Sequence, residues 1–126
     1  MNIAIKGTSL TLTESITTYV NTRFGAVSKF VDSDDVICHV EVGRTTRHHK
    51  NGDIFRAEVR VIIGGKEHYV TSEKEDLYVA IDEVKDSLMR DIALSKVKKT
   101  TFFRRSGAKL KNMVRGVFGN KIEDED

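Results

Sequence analysis

One stretch of the sequence decides the fold. It reads Phe55-Arg56-Ala57-Glu58-Val59-Arg60-Val61-Ile62-Ile63-Gly64-Gly65. Apolar and charged side chains alternate along it, and successive side chains of a β-strand point to opposite faces of a sheet. The two glycines at its end are typical of a hairpin turn. The stretch therefore predicts a strand with one buried and one solvated face, as in an antiparallel sheet covered by helices on a single side.

Further strands are predicted on both sides of this stretch. Residues 36–42 alternate in the same way, with Cys38 and Val40 on the apolar face and His39 on the other. Residues 67–72 follow the hairpin as a fourth strand. Near the N-terminus, residues 3–6 predict a short first strand that Gly7 ends.

Two helices complete the pattern. The first is predicted to begin after Thr11 or Thr13, both possible caps, and to run to about Phe30. The second is predicted to begin near Asp76. Apolar side chains recur at steps of three and four on one face of each helix. These positions are Ile16, Val20, Phe24 and Val27 in the first helix and Leu77, Ile81, Val84 and Leu88 in the second.

The resulting order, β-α-β-β-β-α, predicts an α+β fold: a four-stranded sheet with two helices packed on one face. Its β-β-β-α part resembles a double-stranded-RNA-binding domain. We expect one domain at residues 1–100 and a flexible C-terminal tail at residues 101–126, first basic and then acidic. No apolar run approaches the length of a membrane span, no signal peptide is evident, and the single cysteine fits a cytoplasmic protein.

The net charge of +2 hides a strong polarity along the chain. Residues 92–122 hold nine lysines and arginines and no acidic residue, whereas the last four residues are all acidic. Residues 1–91 hold 12 basic and 15 acidic side chains. A basic stretch of this kind repels itself unless an anionic surface receives it, so it indicates a polyanionic partner.

Basic residues also gather on the second helix. On a helix of 3.6 residues per turn, Lys85, Lys96 and Lys99 fall within an arc of about 60° beside the apolar stripe. Lys96, Lys98 and Lys99 lie near the predicted end of the helix, where cations complement the helix dipole. That explanation would suffice for an isolated helix, but the basic residues that follow favour phosphate binding. These are Arg104, Arg105, Lys109, Lys111 and Arg115, with Lys121 beyond them.

Two features of the tail leave alternatives open. Phe102 and Phe103 could stack on unpaired bases or pack back onto the domain. The basic, partly apolar segment after Lys109 could also bind an anionic membrane surface, but its apolar stripe is short and interrupted by Gly116. We therefore expect no membrane partner.

No catalytic site, metal site or cofactor is expected. Gly64-Gly65 lacks the further glycines and the lysine of a phosphate-binding loop. Cys38 and His39 are neighbours on a strand and point to opposite faces, so they cannot form a nucleophile–base pair. Cys38 is interpreted as a core residue. His48-His49 lies in a loop without an evident set of further metal ligands.

The segment Glu75-Asp76-Leu77-Tyr78-Val79-Ala80-Ile81-Asp82 carries a resemblance to a known family. Together with residues 2–7, residues 13–16 and the order of elements, it resembles the bacterial ribosome hibernation-promoting factors. This family is also called ribosome-associated inhibitor or sigma-54 modulation protein. The resemblance covers about residues 1–99. Only about 27 residues follow, so we expect a short-type member without the second domain of long-type relatives.

The resemblance implies a function and a set of contacts. Such a protein binds the rRNA of the small ribosomal subunit, in the channel of mRNA and of A- and P-site tRNA, and inhibits translation by occupancy under stress or in stationary phase. Carried over by match, the rRNA contacts are Lys6, Arg23, Lys29, Arg90 and Lys96, extended by Lys98 and Lys99. Ser87, Ala93 and Leu94 stand where relatives often carry cations, so the tail is expected to compensate. No small-molecule substrate is implied, and we expect a monomer when free.

Two other functions remain in view. A general structured-RNA-binding module would use a lysine-rich start to its last helix. Here that start, Lys74-Glu75-Asp76, is acidic. A protein-binding modulator of transcription, acting on a sigma factor, is the second alternative. Binding to assembled small subunits in preference to free duplex RNA would distinguish a ribosome-binding protein from a general RNA-binding module. Retention on a sigma factor after nuclease treatment would support the transcription modulator.

Overall fold

The computed structural model describes residues 1–31, 33–45 and 52–118, with side chains up to Val97. Within these ranges it contains four strands and two helices in the predicted order, so the α+β fold class is confirmed. The elements are β1 (Asn2–Thr8), α1 (Glu14–Ser28), β2 (Ile37–Arg44), β3 (Phe55–Ile63), β4 (Lys66–Lys74) and α2 (Leu77–Phe118).

The strands form one sheet in the order β1-β2-β3-β4. β1 pairs with β2 in parallel, and α1 makes the connection between them. The other two pairs are antiparallel and joined consecutively along the chain. Val40 lies opposite Val59, and Val59 lies opposite Val70, so the apolar side chains of neighbouring strands form rows on one face.

Both helix starts are fixed by side chains that accept hydrogen bonds from free backbone amides. The Thr13 hydroxyl accepts from the Ile16 amide at 3.2 Å, so Thr13 rather than Thr11 caps α1. The Asp76 carboxylate accepts from the Tyr78 amide at 2.9 Å at the start of α2. The sequence left the first cap open, and only the geometry decides between the two threonines.

Among the described side chains, one hydrophobic core lies between the helices and one face of the sheet. All eight helix positions predicted for the core are buried there, and so is Cys38. The sheet and Ala80 and Ile92 of α2 complete it. The buried sheet residues are Cys38, Val40, Val42, Ala57, Val59 and Val61. The opposite face of the sheet carries the alternate, more exposed side chains.

Several element boundaries differ from the predictions. The second helix, for example, is predicted to end near Lys99 but continues to Phe118. β1 continues through Gly7, which pairs with Val42, and ends at Thr8. α1 ends at Ser28 rather than near Phe30, because the chain tightens into a turn in which the Phe30 amide donates to the Val27 carbonyl. β4 extends to residue 74 because it pairs with β3 along its whole length.

Backbone contacts divide the chain into two compact units, Met1–Ile92 and Ala93–Asp126. The first contains the sheet, α1 and the beginning of α2. The second contains the rest of α2, whose backbone is helical to Phe118. The domain boundary at residue 100 and the flexibility of residues 101–126 stay predictions.

Gly43 allows the parallel strands to approach each other closely. A Cβ atom at this position would lie 2.5 Å from the Thr8 carbonyl oxygen, a distance that forces the backbone to move. We expect Gly43→Ala to lower the free energy of unfolding by about 1–3 kcal/mol, as overpacking does. Gly25→Ala is the matched control, since nothing lies within 4 Å of a Cβ there and alanine favours a helix interior. The urea concentration at the midpoint of unfolding should fall for Gly43→Ala and rise for Gly25→Ala. A shift in the same direction for both variants would contradict this account.

Cys38 is a buried thiol with no exposed surface. Burial raises its pKa to about 12, so the reactive thiolate is absent at neutral and mildly alkaline pH. We expect negligible alkylation by iodoacetamide at pH 8 in the folded protein and complete alkylation in urea. Rapid labelling without denaturant would show that the core opens at β2.

Candidate nucleic-acid interface

Two contacts show that α1 and the beginning of α2 run in the same direction. The rings of Tyr19 and Tyr78 lie 4.7 Å apart between centroids. One turn further along both helices, Arg23 Nε lies 3.2 Å from Asp82 Oδ1. The C-terminal end of α1, with Lys29, therefore lies toward the part of α2 that follows Asp82. Of the predicted RNA contacts, Lys29 of α1 and Arg90 of α2 thus belong to the same end of the helix layer.

The cations at this end differ in availability. Lys29 is the exposed C-cap residue of α1, where a positive charge complements the helix dipole. Arg90 is exposed, and its guanidinium donates to Ser87 Oγ at 3.0 Å. Lys85 forms an ion pair with Asp86, and its side chain is only 17% exposed. Lys29 and Arg90 are therefore better placed than Lys85 to meet an anionic surface.

Lys6 lies on the other side of the molecule. It is an exposed residue of β1, whose alternate positions Ile3 and Ile5 pack against the core. It stands opposite Glu41 in the parallel pairing of β1 and β2. The sheet therefore separates Lys6 from the helix layer, and the structure does not bring it together with Arg23, Lys29 or Arg90.

Arg23 belongs to a cluster that joins the two helices, which we call the Tyr–Arg cluster: Tyr19, Arg23, Tyr78 and Asp82. The Tyr19 hydroxyl donates to Asp82 Oδ2 at 2.8 Å. The Arg23 guanidinium carbon lies 4.9 Å from the centroid of the Tyr19 ring, within cation–π range. The two tyrosine rings meet edge to face at 82°. The charge of Arg23 is thus balanced inside the protein by Asp82.

The arrangement of the Tyr–Arg cluster shifts the pKa of two of its members. Burial, followed by the hydrogen bond to Asp82, raises the pKa of the Tyr19 hydroxyl, which therefore remains a donor at neutral pH. The interaction with Tyr19, followed by the charge of Asp82, raises the pKa of the Arg23 guanidinium. Sequence reasoning missed Tyr19 and Tyr78. The only signal in the sequence was weak: on each predicted helix, a tyrosine stands one turn before a charged residue.

The beginning of α2 is more acidic than basic. Residues 75–91 hold six acidic side chains and two basic ones, Lys85 and Arg90. Glu83 forms an ion pair with Lys74 at 3.1 Å, and its interaction with Lys74 lowers the pKa of the Glu83 carboxyl. This part of the helix therefore cannot supply a strongly positive field by itself.

The basic residues become dense only after Ile92. Lys96 is exposed on α2. The side chains of Lys98, Lys99, Arg104, Arg105, Lys109, Lys111 and Arg115 lie outside the described residues. The backbone that carries them is helical to Phe118. Their role as RNA contacts stays a prediction.

The exposed face of the sheet carries its own aromatic group, Tyr69. Its hydroxyl donates to Glu58 Oε1 at 2.5 Å, and the Arg60 guanidinium carbon lies 5.1 Å from its ring centroid. Arg60 also pairs with Glu67 at 3.2 Å. Tyr69 is 44% exposed, close to the 36% of Tyr78, but the sheet lies between them.

Within the described ranges, no three His, Cys, Asp or Glu side chains gather closely enough to hold a metal ion. His48 and His49, considered above as metal ligands, lie outside the described residues. The helices that the structure describes include none with the length and apolarity needed to cross a bilayer.

Fold and charge together define a small α+β protein with cations at one end of its helix layer. The chain belongs to the family described as sigma 54 modulation protein / S30EA ribosomal protein, whose sequence profile matches residues 3–100. The resemblance read from the sequence is thereby confirmed. A search of the curated protein sequences gave no significant match.

Solved structures similar to this chain include the following two. The N-terminal domain of Protein Y from Thermus thermophilus is 28% identical, with a TM-score of 0.62, over 73% of this chain and 96% of that one. A ribosomal subunit interface protein from Coxiella burnetii is 14% identical, with a TM-score of 0.61, over 77% of this chain and 99% of that one. The second comparison supports the fold alone.

Proposed function

We propose that this protein binds the small ribosomal subunit and inhibits translation by occupying the channel of mRNA and of A- and P-site tRNA. The observation that carries the proposal is the family match over residues 3–100, in a family described by a ribosomal protein. The chain would act in the cytoplasm, under stress or in stationary phase, as a monomer that associates with ribosomes. No chemical step is needed, because occupancy alone excludes the competing ligands.

The charge distribution supports an rRNA partner. Lys29 and Arg90 are exposed at one end of the helix layer, and Lys96 is exposed further along α2. The remaining cations of residues 92–122 follow without an intervening acid. Phosphate contacts made by such residues release counterions, so binding should weaken steeply as salt is raised.

The occupancy mechanism is tested by competition. Labelled protein bound to small subunits should be released when mRNA and initiator tRNA are added together, and pre-bound mRNA and tRNA should block its binding. Simultaneous binding of all three, at concentrations where each saturates its site, would contradict occupancy of the channel.

A matched pair of double variants tests which face is used. Lys29→Gln with Arg90→Gln removes two exposed cations from the helix layer, whereas Arg56→Gln with Arg60→Gln removes two from the exposed face of the sheet. We expect the helix pair alone to weaken binding and to lower the salt slope by about one for each phosphate that the variant no longer neutralises. Equal losses of affinity for both pairs would contradict the use of the helix layer.

The family description also names sigma 54, which keeps a second candidate function in view. A protein-binding modulator of transcription would be retained on a sigma factor in an extract treated with nuclease. A protein that bound only RNA would not be retained on a sigma factor in the same extract.

A further inference from the structure

We propose that Tyr78, supported by Tyr19 and Arg23, forms a stacking site for one unpaired nucleobase of the ribosomal RNA. This inference rests on the proposed function and adds to it the kind of group that this surface recognises. The site is a shallow groove at the start of the two parallel helices, lined by the three residues just named and by Glu14, Ser15 and Thr18.

The aromatic groups of this groove are held in place before any ligand arrives. Tyr19 is fixed at its hydroxyl by Asp82 and on its ring by Arg23. Tyr78 packs edge to face against Tyr19 and keeps 36% of its surface exposed. An aromatic ring that is already oriented loses little conformational freedom on binding, so stacking on it is favoured.

The charges of the groove favour a base over a phosphate. The Arg23 guanidinium is already paired with Asp82, and the remaining charged group of the lining is the Glu14 carboxylate. A phosphate would be repelled by Glu14, whereas the exocyclic amino group of adenine, cytosine or guanine could donate to it. The hydroxyls of Ser15 and Thr18 can donate or accept at the edge of a base or at a ribose. The occupant is therefore a base that carries an exocyclic amino group and whose ring is free to stack on Tyr78.

A stacking site gives Arg23 a different role from the one the sequence suggested. Its guanidinium stacks on Tyr19 and neutralises Asp82, so it acts as a positioning residue for the aromatic pair. The phosphate contacts of the helix layer then fall to Lys29 and Arg90, which lie toward the other end of α1 and further along α2.

The test compares Tyr78→Ala with Tyr69→Ala in the full chain, using purified small subunits. Both tyrosines are exposed to a similar degree, and they lie on opposite sides of the sheet. Base–aromatic stacking predicts that Tyr78→Ala weakens binding by about 5- to 150-fold. The salt dependence should stay unchanged, since every phosphate-binding cation is still present. Tyr78→Phe keeps the ring and should bind like the wild type, as should Tyr69→Ala.

Chemical footprinting with dimethyl sulfate supplies a readout that a loss of stability would not imitate. At saturating protein, the wild type should protect an unpaired adenine or cytosine that Tyr78→Ala leaves reactive, while the other protections persist. If the wild type binds and Tyr78→Ala gives the same affinity and the same footprint, the stacking site is wrong and the proposed function stands. If the wild type itself fails to bind small subunits, both proposals fall.

Discussion

Phe24→Ala is expected to lower the free energy of unfolding by about 3–5 kcal/mol, the usual cost of removing a buried aromatic ring. Phe24 is completely buried and is the largest fully buried side chain among the described residues. It extends from α1 into the core shared with α2 and the sheet. Domains of this size are stable by about 5–15 kcal/mol, so the variant should lose a large part of its stability. Urea unfolding followed by circular dichroism measures the change.

Phe30→Ala is the control for this prediction. Phe30 lies just beyond the end of α1 and is 46% exposed, so its removal leaves no enclosed cavity. We expect a cost below about 1 kcal/mol for this variant. Comparable destabilisation at the two positions would show that α1 does not pack on the sheet through Phe24.

Removing the charges of the basic tail should have the largest effect on ribosome binding. In the variant, glutamine replaces five cations: Arg104, Arg105, Lys109, Lys111 and Arg115. Each phosphate that is no longer neutralised should lower the slope of log affinity against log salt by about one. When several phosphates are affected, affinity at moderate salt should fall by about a factor of 100 or more. Filter binding or sedimentation across a salt series gives both quantities.

Two further variants of the tail sharpen this prediction. Exchanging arginine and lysine at the same five positions keeps the charge and should keep the salt slope. Deleting residues 101–122 should weaken binding as much as the glutamine replacements do. Stability should change little, because the core formed by the described side chains lies within residues 16–92. Unchanged binding of the deletion variant would remove the tail from the proposed interface.

The buried half of the fold was predictable because its signals are local. Alternation placed Cys38 and Val40 on the core face, and steps of three and four placed Phe24 and Leu88 on the core stripes, as the structure confirms. These patterns require only that each element hides one face. Element ends were less certain, since the end of β1 depends on how closely Gly43 allows it to approach β2.

The site was less predictable because its signals are distant in sequence. Nothing near Arg23 indicates that its partner is Asp82, on the other helix, or that Tyr19 and Tyr78 meet. The position of Lys6 illustrates a different lesson. The alternation of Ile3 and Ile5 already implies that Lys6 points away from the helices, but carrying over contacts from a family resemblance does not consider which face of the sheet each contact occupies.

The central claim, binding to the small ribosomal subunit through its RNA, is tested most directly by sedimenting the purified protein with small subunits, large subunits and whole ribosomes at low and high salt. The account predicts near one-to-one recovery with small subunits and with whole ribosomes, no recovery with large subunits, and release as salt is raised. Failure to co-sediment with small subunits at any salt, or equal recovery with large subunits, would contradict it.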